Sequence, residues 1–450
     1  MNHYDRHYLR IALPAALEGL FMILLSSTDL ILVSALGNLS VAAVSIFLQP
    51  RLVLLCFSRS LASAVTLVTS RRAGAGEAGS RDVPQLLKQS LTLCAATLGV
   101  LHILAFIFMK EIFLLMGAKP DYLELAMEYG PFALLGVYFT SLTLILQAVQ
   151  LGYGDTAKIM KVNVGGNILN AIFSFLLIRG FGPFPALGVE GAAIGTAVST
   201  LFSLILAYCM LYKDGFLTGG KWIPDQKYFD EIVPIFSSVL SEQGSERIGM
   251  VLFSRMAAGM GTVPFAVHSI CMNICDVYWD FIMGFGKANM VEAGQTMGSG
   301  SKEDWHAYKR TGFKWSMLLS AISCGITWFF STEIFSFYST DPDSLAMSGI
   351  IMLFVAIVSF PESIGLWGAG ILRGSGYTGT VAAYSFMSVA VIRPIMTAIF
   401  LYVFDMGIVG TWIALLLDQC IRAACSSYMV YLISHEKTVT LFGITMKQHV

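Results

Sequence analysis

The chain has 450 residues, of which 56% are hydrophobic and only 13% are charged, and its mean hydropathy is +0.71. Its 28 basic and 29 acidic residues are too few to cover the surface of a soluble protein of this length. This composition excludes soluble, collagen-like and disordered classes, leaves no basic surface for nucleic acid, and predicts an all-α membrane protein.

The predicted membrane spans follow from the length of the apolar segments. Crossing about 30 Å of hydrocarbon takes roughly 20 apolar residues in a helix. Twelve segments meet this requirement, near residues 11–36, 42–69, 87–109, 125–151, 162–180, 188–212, 231–258, 264–291, 313–335, 346–371, 382–404 and 408–433. Between the third and fourth spans, the amphipathic piece from Ile112 to Leu123 is predicted to lie at the membrane interface.

The basic residues outside these spans predict the orientation of the chain. With both termini on one side of the membrane, the opposite side carries only Lys110, Lys119 and Arg179, and the other loop residues, including Arg373, fall on the side of the termini. Because basic residues accumulate on the cytoplasmic side, both termini are predicted to be cytoplasmic, in the inner (plasma) membrane.

An internal repeat divides the chain into two halves. A shift of about 220 residues aligns short strings in order along both halves, which chance matches would not do. The aligned strings are Pro14 with Pro234, 35–46 with 259–270, 74–76 with 298–300, 151–156 with 373–378 and 188–194 with 407–413. Six spans per half is an even number, so the halves share one orientation.

The repeat predicts two parallel six-helix bundles around a central cavity. The N-lobe is predicted at 1–212 and the C-lobe at 231–433. A cytoplasmic linker at 213–230 joins them, and a cytoplasmic tail follows at 434–450.

The same strings resemble a known family. They include Leu-Gly-x3-Val-Ala-Ala at 36–43, Leu-Gly-x-Gly-Asp-Thr at 151–156, Leu-Gly-Val-x-Gly-Ala-Ala at 187–193, Leu-Arg-Gly-x-Gly at 372–376 and Gly-x2-Gly-x-Trp at 407–412. Together they resemble the multidrug and toxic compound extrusion (MATE) family, with NorM-like features. Arg71-Arg72 departs from the Ala-Gln often found before the first Gly-x-Gly of the family.

The resemblance implies a transporter rather than an enzyme. It implies a cation-coupled antiporter that expels organic cations and other amphipathic compounds by alternating access of two lobes. The only cofactor implied is the coupling ion, Na⁺ or H⁺, and the protein is expected to be a monomer.

Acidic residues inside the spans are candidates for cation coupling, since each ionisable side chain near the bilayer centre costs about 2.5 to 3.5 kcal/mol. Two i,i+4 pairs place like charges on one helix face, where a proton, a cation or an arginine must relieve them. The predicted coupling residues are Glu242, Glu246, Asp280, Glu362, Asp29 and Asp276. Internal ion pairing is the alternative for Glu246, Asp276 and Glu18.

The resemblance assigns one carboxylate to span seven and one to span ten. It selects Glu362 in span ten, leaves span seven open between Glu242 and Glu246, and matches Asp29 to an acid of span one. Sodium would favour an oxygen cluster of Glu242, Asp280 and Glu362, whereas a proton needs only one carboxylate.

Pro361 precedes Glu362 and removes the backbone hydrogen bond to Ile357, so span ten is expected to bend there. The freed carbonyl either serves a cation or belongs to a simple packing kink.

Substrate contacts are predicted at residues close to the acids. Aromatic rings bind lipophilic cations through cation–π contacts, although lipid-facing or core positions are the alternative. The predicted substrate-binding residues are Asp29, Tyr138, Tyr278, Trp279 and Trp367.

Other chemistries have no support in the sequence. The string GxxxxGK at 215–221 is followed by Trp222 instead of Ser or Thr and is not a nucleotide-binding loop. The eight cysteines are predicted to be core residues, with a soft metal shared by Cys271 and Cys275 as the alternative.

The main rival function is a flippase or exporter of a lipid-linked or polyprenyl-linked precursor. Its anionic head groups would need a basic cavity. The arginines able to supply one are Arg51, Arg59, Arg247 and Arg393.

Overall fold

The computed structural model describes residues 1–76, 80–180, 184–438, 440–441 and 444–445. Side chains are described for all of these except residues 23–31, 38, 440–441 and 444–445. Nearly all of this described chain is helical, as the sequence predicts.

The first half of the chain forms eight described helices. They are α1 (His3–Ser34), α2 (Asn38–Ser45), α3 (Leu48–Gly74), α4 (Val83–Ile107), α5 (Met109–Leu115), α6 (Pro120–Gly152), α7 (Thr156–Arg179) and α8 (Gly188–Lys213). Pro120 begins α6, where the missing N–H of proline costs no helical hydrogen bond.

The second half forms eight further described helices. They are α9 (Gln226–Ala258), α10 (Thr262–Ser299), α11 (Lys302–Phe329), α12 (Ser331–Ser336), α13 (Pro342–Gly374), α14 (Thr378–Ser385), α15 (Arg393–Ala398) and α16 (Gly407–Ser434). Two π-helical segments, Phe386–Ile392 and Ile399–Val403, flank α15 and continue the same long segment. After α16, β1 (Thr440–Leu441) pairs antiparallel with β2 (Ile444–Thr445).

Eight helical segments of the described chain are long and apolar enough to cross a membrane. They are Leu39–Gly74, Val83–Ile107, Pro120–Gly152, Thr156–Arg179, Gly188–Lys213, Pro342–Gly374, Thr378–Val403 and Gly407–Ser434. These segments make the chain a multi-pass membrane protein. The other predicted spans correspond to α1, α9, α10 and α11, which are helical as predicted.

Two of the predicted segments contain a break between helices. The second predicted span, 42–69, is not one helix, because α2 ends at Ser45 and α3 begins at Leu48. The predicted interfacial piece, Ile112 to Leu123, is also divided, since α5 ends at Leu115 and α6 already begins at Pro120. Residues 116–119, including Gly117 with its φ of 91°, form the turn that separates them.

The chain divides into two compact units, whose limits differ from the predicted lobes. The first unit is Leu17–Phe236, and the second unit is Met1–Ala16 together with Ser237–Val450. The predicted linker, 213–230, therefore packs within the first unit. Residues 1–16, predicted as part of the N-lobe, pack within the second unit instead.

The backbone of the two halves repeats at matched glycines. Gly37 and Gly261 precede α2 and α10 with φ values of 105° and 104°. Gly188 and Gly407 begin α8 and α16 with φ values of 56° and 54°. Residues with a Cβ rarely adopt these angles. Glycine therefore occurs in both halves at the position where the chain enters the helix.

Each unit has its own apolar core. In the first unit Phe47 and Phe113 pack between α3, α5 and α6. In the second unit Trp412 is fully buried beside Cys271 and Cys275, which are therefore core residues. Cys209 and Cys420 are exposed and do not follow the predicted core placement.

Candidate functional site

Glu242 is buried and paired with an arginine. It lies on α9 with 2% of its surface exposed. Arg373, at the end of α13, donates from Nη2 to Glu242 Oε1 at 2.5 Å. Ser385 donates to the same oxygen at 3.4 Å, while Glu242 Oε2 has no hydrogen-bond partner among the described residues.

Glu246, one turn further along α9, is paired with a second arginine. Arg422 of α16 donates from Nη2 to Glu246 Oε1 at 3.0 Å. The Arg422 guanidinium also lies 6.0 Å from the centre of the Trp279 ring, within cation–π range. Two like charges on one face of α9 are therefore each balanced by an arginine of another helix, as the ion-pairing alternative for Glu246 requires.

A third buried ion pair joins α15 and α16. Arg393 Nε donates to Asp418 Oδ2 at 3.0 Å, and the Arg393 Nη2 contacts the same oxygen. Ser388, in the first π-helical segment, donates its hydroxyl to Asp418 Oδ1. Asp418 is fully buried and Arg393 is 3% exposed, so their charges cancel within the second unit.

Glu362 differs from these acids because it forms no ion pair with any described basic residue. It lies in the middle of α13 with 7% of its surface exposed, and its Oε2 has no hydrogen-bond partner among the described residues. Helix α13 continues through Pro361, which has no N–H to bond the carbonyl of Ile357. A buried carboxylate of this kind is costly until a proton or a cation reaches it.

A hydroxyl chain lies beside Glu362. Ser363, the next residue, accepts a hydrogen bond of 2.8 Å from Ser320 of α11. Tyr278 of α10 contacts the hydroxyls of both serines, at 3.0 Å from Ser320 Oγ. The predicted substrate residue Tyr278 thus holds α10, α11 and α13 together next to the unpaired acid.

The predicted sodium cluster is not assembled. The described chain contains no group of three or more Asp, Glu, His or Cys side chains placed to hold a metal ion. Asp276 and Asp280 are exposed on α10, whereas Glu242 and Glu362 are buried. The Glu242 carboxylate is neutralised by Arg373, whereas the Glu362 carboxylate is not paired with a described basic residue.

The remaining predicted substrate residues occupy different environments. Trp367 is a core residue, 7% exposed, whose indole Nε1 donates to the Lys309 carbonyl at 3.0 Å. In the first unit, the Tyr138 hydroxyl donates to the Ala95 carbonyl at 3.2 Å. The Trp367 ring is enclosed by its own unit, and substrate contact by this side chain stays a prediction.

The side chain of Asp29 lies outside the described residues. The buried acid among the described residues of the first unit is Glu18, which is 9% exposed. Asn163 of α7 donates to Glu18 Oε1 at 2.5 Å, and Gln147 of α6 donates to Asn163 Oδ1 at 2.6 Å. Glu18 is therefore held by amides, and the ion pair considered as an alternative for it is not seen among the described residues.

The arginines of the rival function divide into two groups. Arg393 is neutralised by Asp418, so it offers no free positive charge to an anionic substrate. Arg51, Arg59 and Arg247 are exposed.

Two buried or paired polar residues were not singled out in the sequence. Arg373 was assigned to a cytoplasmic loop, yet it is the partner of Glu242. Gln150, 1% exposed and with neither amide atom bonded to a described residue, drew no attention because it is neutral. Arg373 lies in a Leu-Arg-Gly string that contains no acid, and its distance in sequence from Glu242 gave no indication of the pair.

Comparison with known proteins identifies the family. The family model described as MatE matches residues 14–176 and 234–399, one match in each half. A protein of Thermotoga maritima described as a probable multidrug resistance protein NorM is 25% identical over 93% of this chain and 90% of its own length. A protein of Shewanella oneidensis described as an FAD transporter is 24% identical, over 80% of each chain.

Solved structures share the fold. A transporter of the MOP superfamily from Pyrococcus furiosus, described as having a binding pocket of reversed polarity that suggests a different function, superposes with a TM-score of 0.87. It is 20% identical and covers 96% of both chains. A MATE protein solved in complex with MaD3S gives a TM-score of 0.88 at 20% identity, over 97% of both chains.

The two matches of the family model begin at Pro14 and Pro234, the first residues aligned by the internal repeat. They cover most of the chain and both halves of the helical fold. The protein is a membrane transporter that belongs to the MATE family.

Proposed function

We propose that the protein is a secondary active multidrug efflux antiporter that exports organic cations and amphipathic compounds in exchange for H⁺ or Na⁺. The proposal includes twelve membrane spans in two parallel repeats of six, an N-lobe and a C-lobe that alternate access to a central cavity. It also includes cytoplasmic termini, an inner-membrane location and a monomeric state. The description of the Thermotoga relative as a multidrug resistance protein supports the class of substrate.

The isolated carboxylate of Glu362 carries this proposal. Glu242, Glu246 and Asp418 each have an arginine partner, whereas the Oε2 of Glu362 is buried without a partner among the described residues. Neutralising a buried carboxylate with a bound cation removes most of its desolvation cost. Glu362 is therefore the described acid with the most to gain from exchanging a coupling ion for a cationic substrate.

The arrangement favours H⁺ as the coupling ion. A proton needs one carboxylate oxygen, while Na⁺ needs several oxygen ligands converging on one point. The acids predicted to supply those oxygens are divided between an ion pair, exposed positions and the isolated Glu362. Coupling to Na⁺ is the alternative, and the transport experiment below tests it with a separate Na⁺ gradient.

Gradient-driven transport tests the proposal. Inside-out vesicles containing the protein would take up a fluorescent lipophilic cation when an H⁺ gradient, or in the second arm a Na⁺ gradient, is imposed. Glu362→Gln should abolish the response to the gradient, whereas Glu333→Gln, an exposed acid of α12, should retain it. Absence of uptake under both gradients would overturn the proposed function, and normal coupling in Glu362→Gln would overturn the role of Glu362.

An anionic or lipid-linked cargo is the second candidate function. It is favoured by the exposed Arg51, Arg59 and Arg247, and by the relative described as an FAD transporter. The same vesicles, loaded with a lipid-linked phosphate or a dinucleotide in place of the cation, test it. Transport of that cargo with no transport of cations would favour this function over multidrug efflux.

A further inference from the structure

The amino-terminal segment His3–Ala16 is anchored within the second unit by close helix packing. A Cβ on Gly284 of α10 would lie 2.3 Å from the Ala16 nitrogen, so only glycine allows this approach. Tyr8 is fully buried, and its hydroxyl donates to the Phe285 carbonyl at 3.2 Å and to Asn289 Oδ1 at 3.1 Å. The start of α1 is therefore fixed against α10.

Polar contacts with α11 extend this anchor towards the amino terminus. Asp5 is 3% exposed and accepts hydrogen bonds from Lys314 Nζ at 2.5 Å and from Trp315 Nε1 at 3.0 Å. The Tyr4 hydroxyl donates to Asp304 Oδ1 at 2.8 Å. One helical turn thus carries several bonds to a helix about 300 residues away in sequence.

A titratable pair lies at the centre of this interface. His7 Nδ1 lies 2.8 Å from Glu292 Oε1 and 3.1 Å from the Tyr308 hydroxyl. The Glu292 side chain is 3% exposed, whereas the His7 side chain is 41% exposed. A proton on the pair can therefore exchange with solvent through His7, although Glu292 itself is enclosed.

The groups around His7 include both signs of charge. Helix α1 contributes His3, Tyr4 and Arg10, α10 contributes Glu292, and α11 contributes Asp304, Tyr308 and Lys309. The Asp304 carboxylate accepts a hydrogen bond from the Tyr4 hydroxyl, and the Asp304 backbone N–H donates to Ser301 Oγ at the start of α11. Glu292 is the carboxylate in contact with the imidazole.

We propose that residues 3–16 form a proton-controlled latch, closed on α10 and α11 while His7 and Glu292 share a bound proton and released when that proton is lost. With the proton bound, imidazolium and carboxylate neutralise each other. Without it, the closed latch encloses a carboxylate that faces only a neutral imidazole and a phenol, which is costly. Release frees the start of α1 from the second unit.

The direction of the pH response follows from both partners. The hydrogen bond to Glu292 raises the pKa of His7 above 6.5, and burial raises the pKa of Glu292 above 4.5. A raised pKa of either group in the closed state means that closure takes up protons. The stability of closure is therefore fully present below the ordinary pKa of histidine and is lost as pH rises through the raised value.

Hydrogen exchange of the full-length protein in nanodiscs tests the latch without requiring transport. The opening constant of peptide 3–12, corrected for intrinsic exchange rates, would be compared between about pH 6 and about pH 8.5. It should rise with pH by up to about tenfold per unit, the limit for release of one proton. The inference rests on the proposed function only for the role of the latch in transport. The hydrogen-exchange result does not depend on whether the transport assay succeeds.

Two variants separate proton control from simple packing. Glu292→Gln keeps the shape of the side chain but not its charge, and should make the opening constant independent of pH. Tyr4→Phe removes only the bond to Asp304, and should raise opening at every pH while the pH dependence stays. An unprotected peptide at both pH values, protection without pH dependence in the wild type, or unchanged pH dependence in Glu292→Gln would each overturn the proposal.

Discussion

Breaking the ion pair between Glu242 and Arg373 should destabilise the second unit. Glu242 has a 3% exposed side chain and Arg373 a 22% exposed one, with 2.5 Å between their charged atoms. Removing one partner of a buried pair leaves an uncompensated charge, at a cost of about 3–5 kcal/mol. For a cooperative unit of roughly 200 residues this corresponds to a fall in Tm on the order of 10 °C.

A double-mutant cycle measures this coupling. Tm and the free energy of unfolding would be followed by intrinsic fluorescence in the same detergent for Glu242→Gln, Arg373→Gln and the double variant. The double variant should recover most of the loss, because it leaves neither charge unpaired. The matched pair Glu246 with Arg422, whose carboxylate is 32% exposed, should show a smaller coupling. Additive effects of Glu242→Gln and Arg373→Gln would refute the reasoning.

Three further predictions concern packing and the amino terminus. Gly284→Ala should lower the free energy of unfolding by about 1–3 kcal/mol because the added Cβ meets backbone. Gly286→Ala on the same helix should be tolerated, since its nearest contact is 3.7 Å; equal losses of Tm in both would contradict this. Trp367→Phe should reduce Tm but leave the KM for a lipophilic cation unchanged, and a raised KM would return this residue to the substrate site. The hydrogen bond from Lys314 lowers the pKa of Asp5 below 3.8, so its contribution, present above 3.8, should be lost as pH falls through the lowered value. Cleavage of the amino terminus by an acid-active protease should then increase, and Asp5→Asn should remove that pH dependence.

Much of the fold could be predicted from local sequence. Apolar segments of span length predict helices directly, and the glycines that recur between the halves mark positions with positive φ, such as Gly37 and Gly261. The break between α2 and α3 was not predictable in this way, because residues 46 and 47 are as apolar as their neighbours. The assignment of residues 1–16 to the second unit depends on contacts with Gly284 and Asn289, which no local pattern reveals.

The site was predictable as a set of residues but not as a set of pairs. The sequence drew attention to Glu242, Glu246 and Glu362 because charges are costly in a membrane. Which acid has an arginine partner depends on how α9, α13 and α16 pack, so Glu362 could not be separated from the others. The buried position of Trp367 was not predictable for the same reason, since an aromatic ring near an acid in sequence can still face the core.

Ion release on substrate binding tests the central claim most directly. Purified protein in a weakly buffered detergent solution would be mixed with a lipophilic cation, and H⁺ release followed with a pH dye, or Na⁺ release with a sodium electrode. The wild type should release close to one ion per cation bound, while Glu362→Gln should bind the cation with no release. Binding without ion release in the wild type, or unchanged release in Glu362→Gln, would contradict exchange at Glu362.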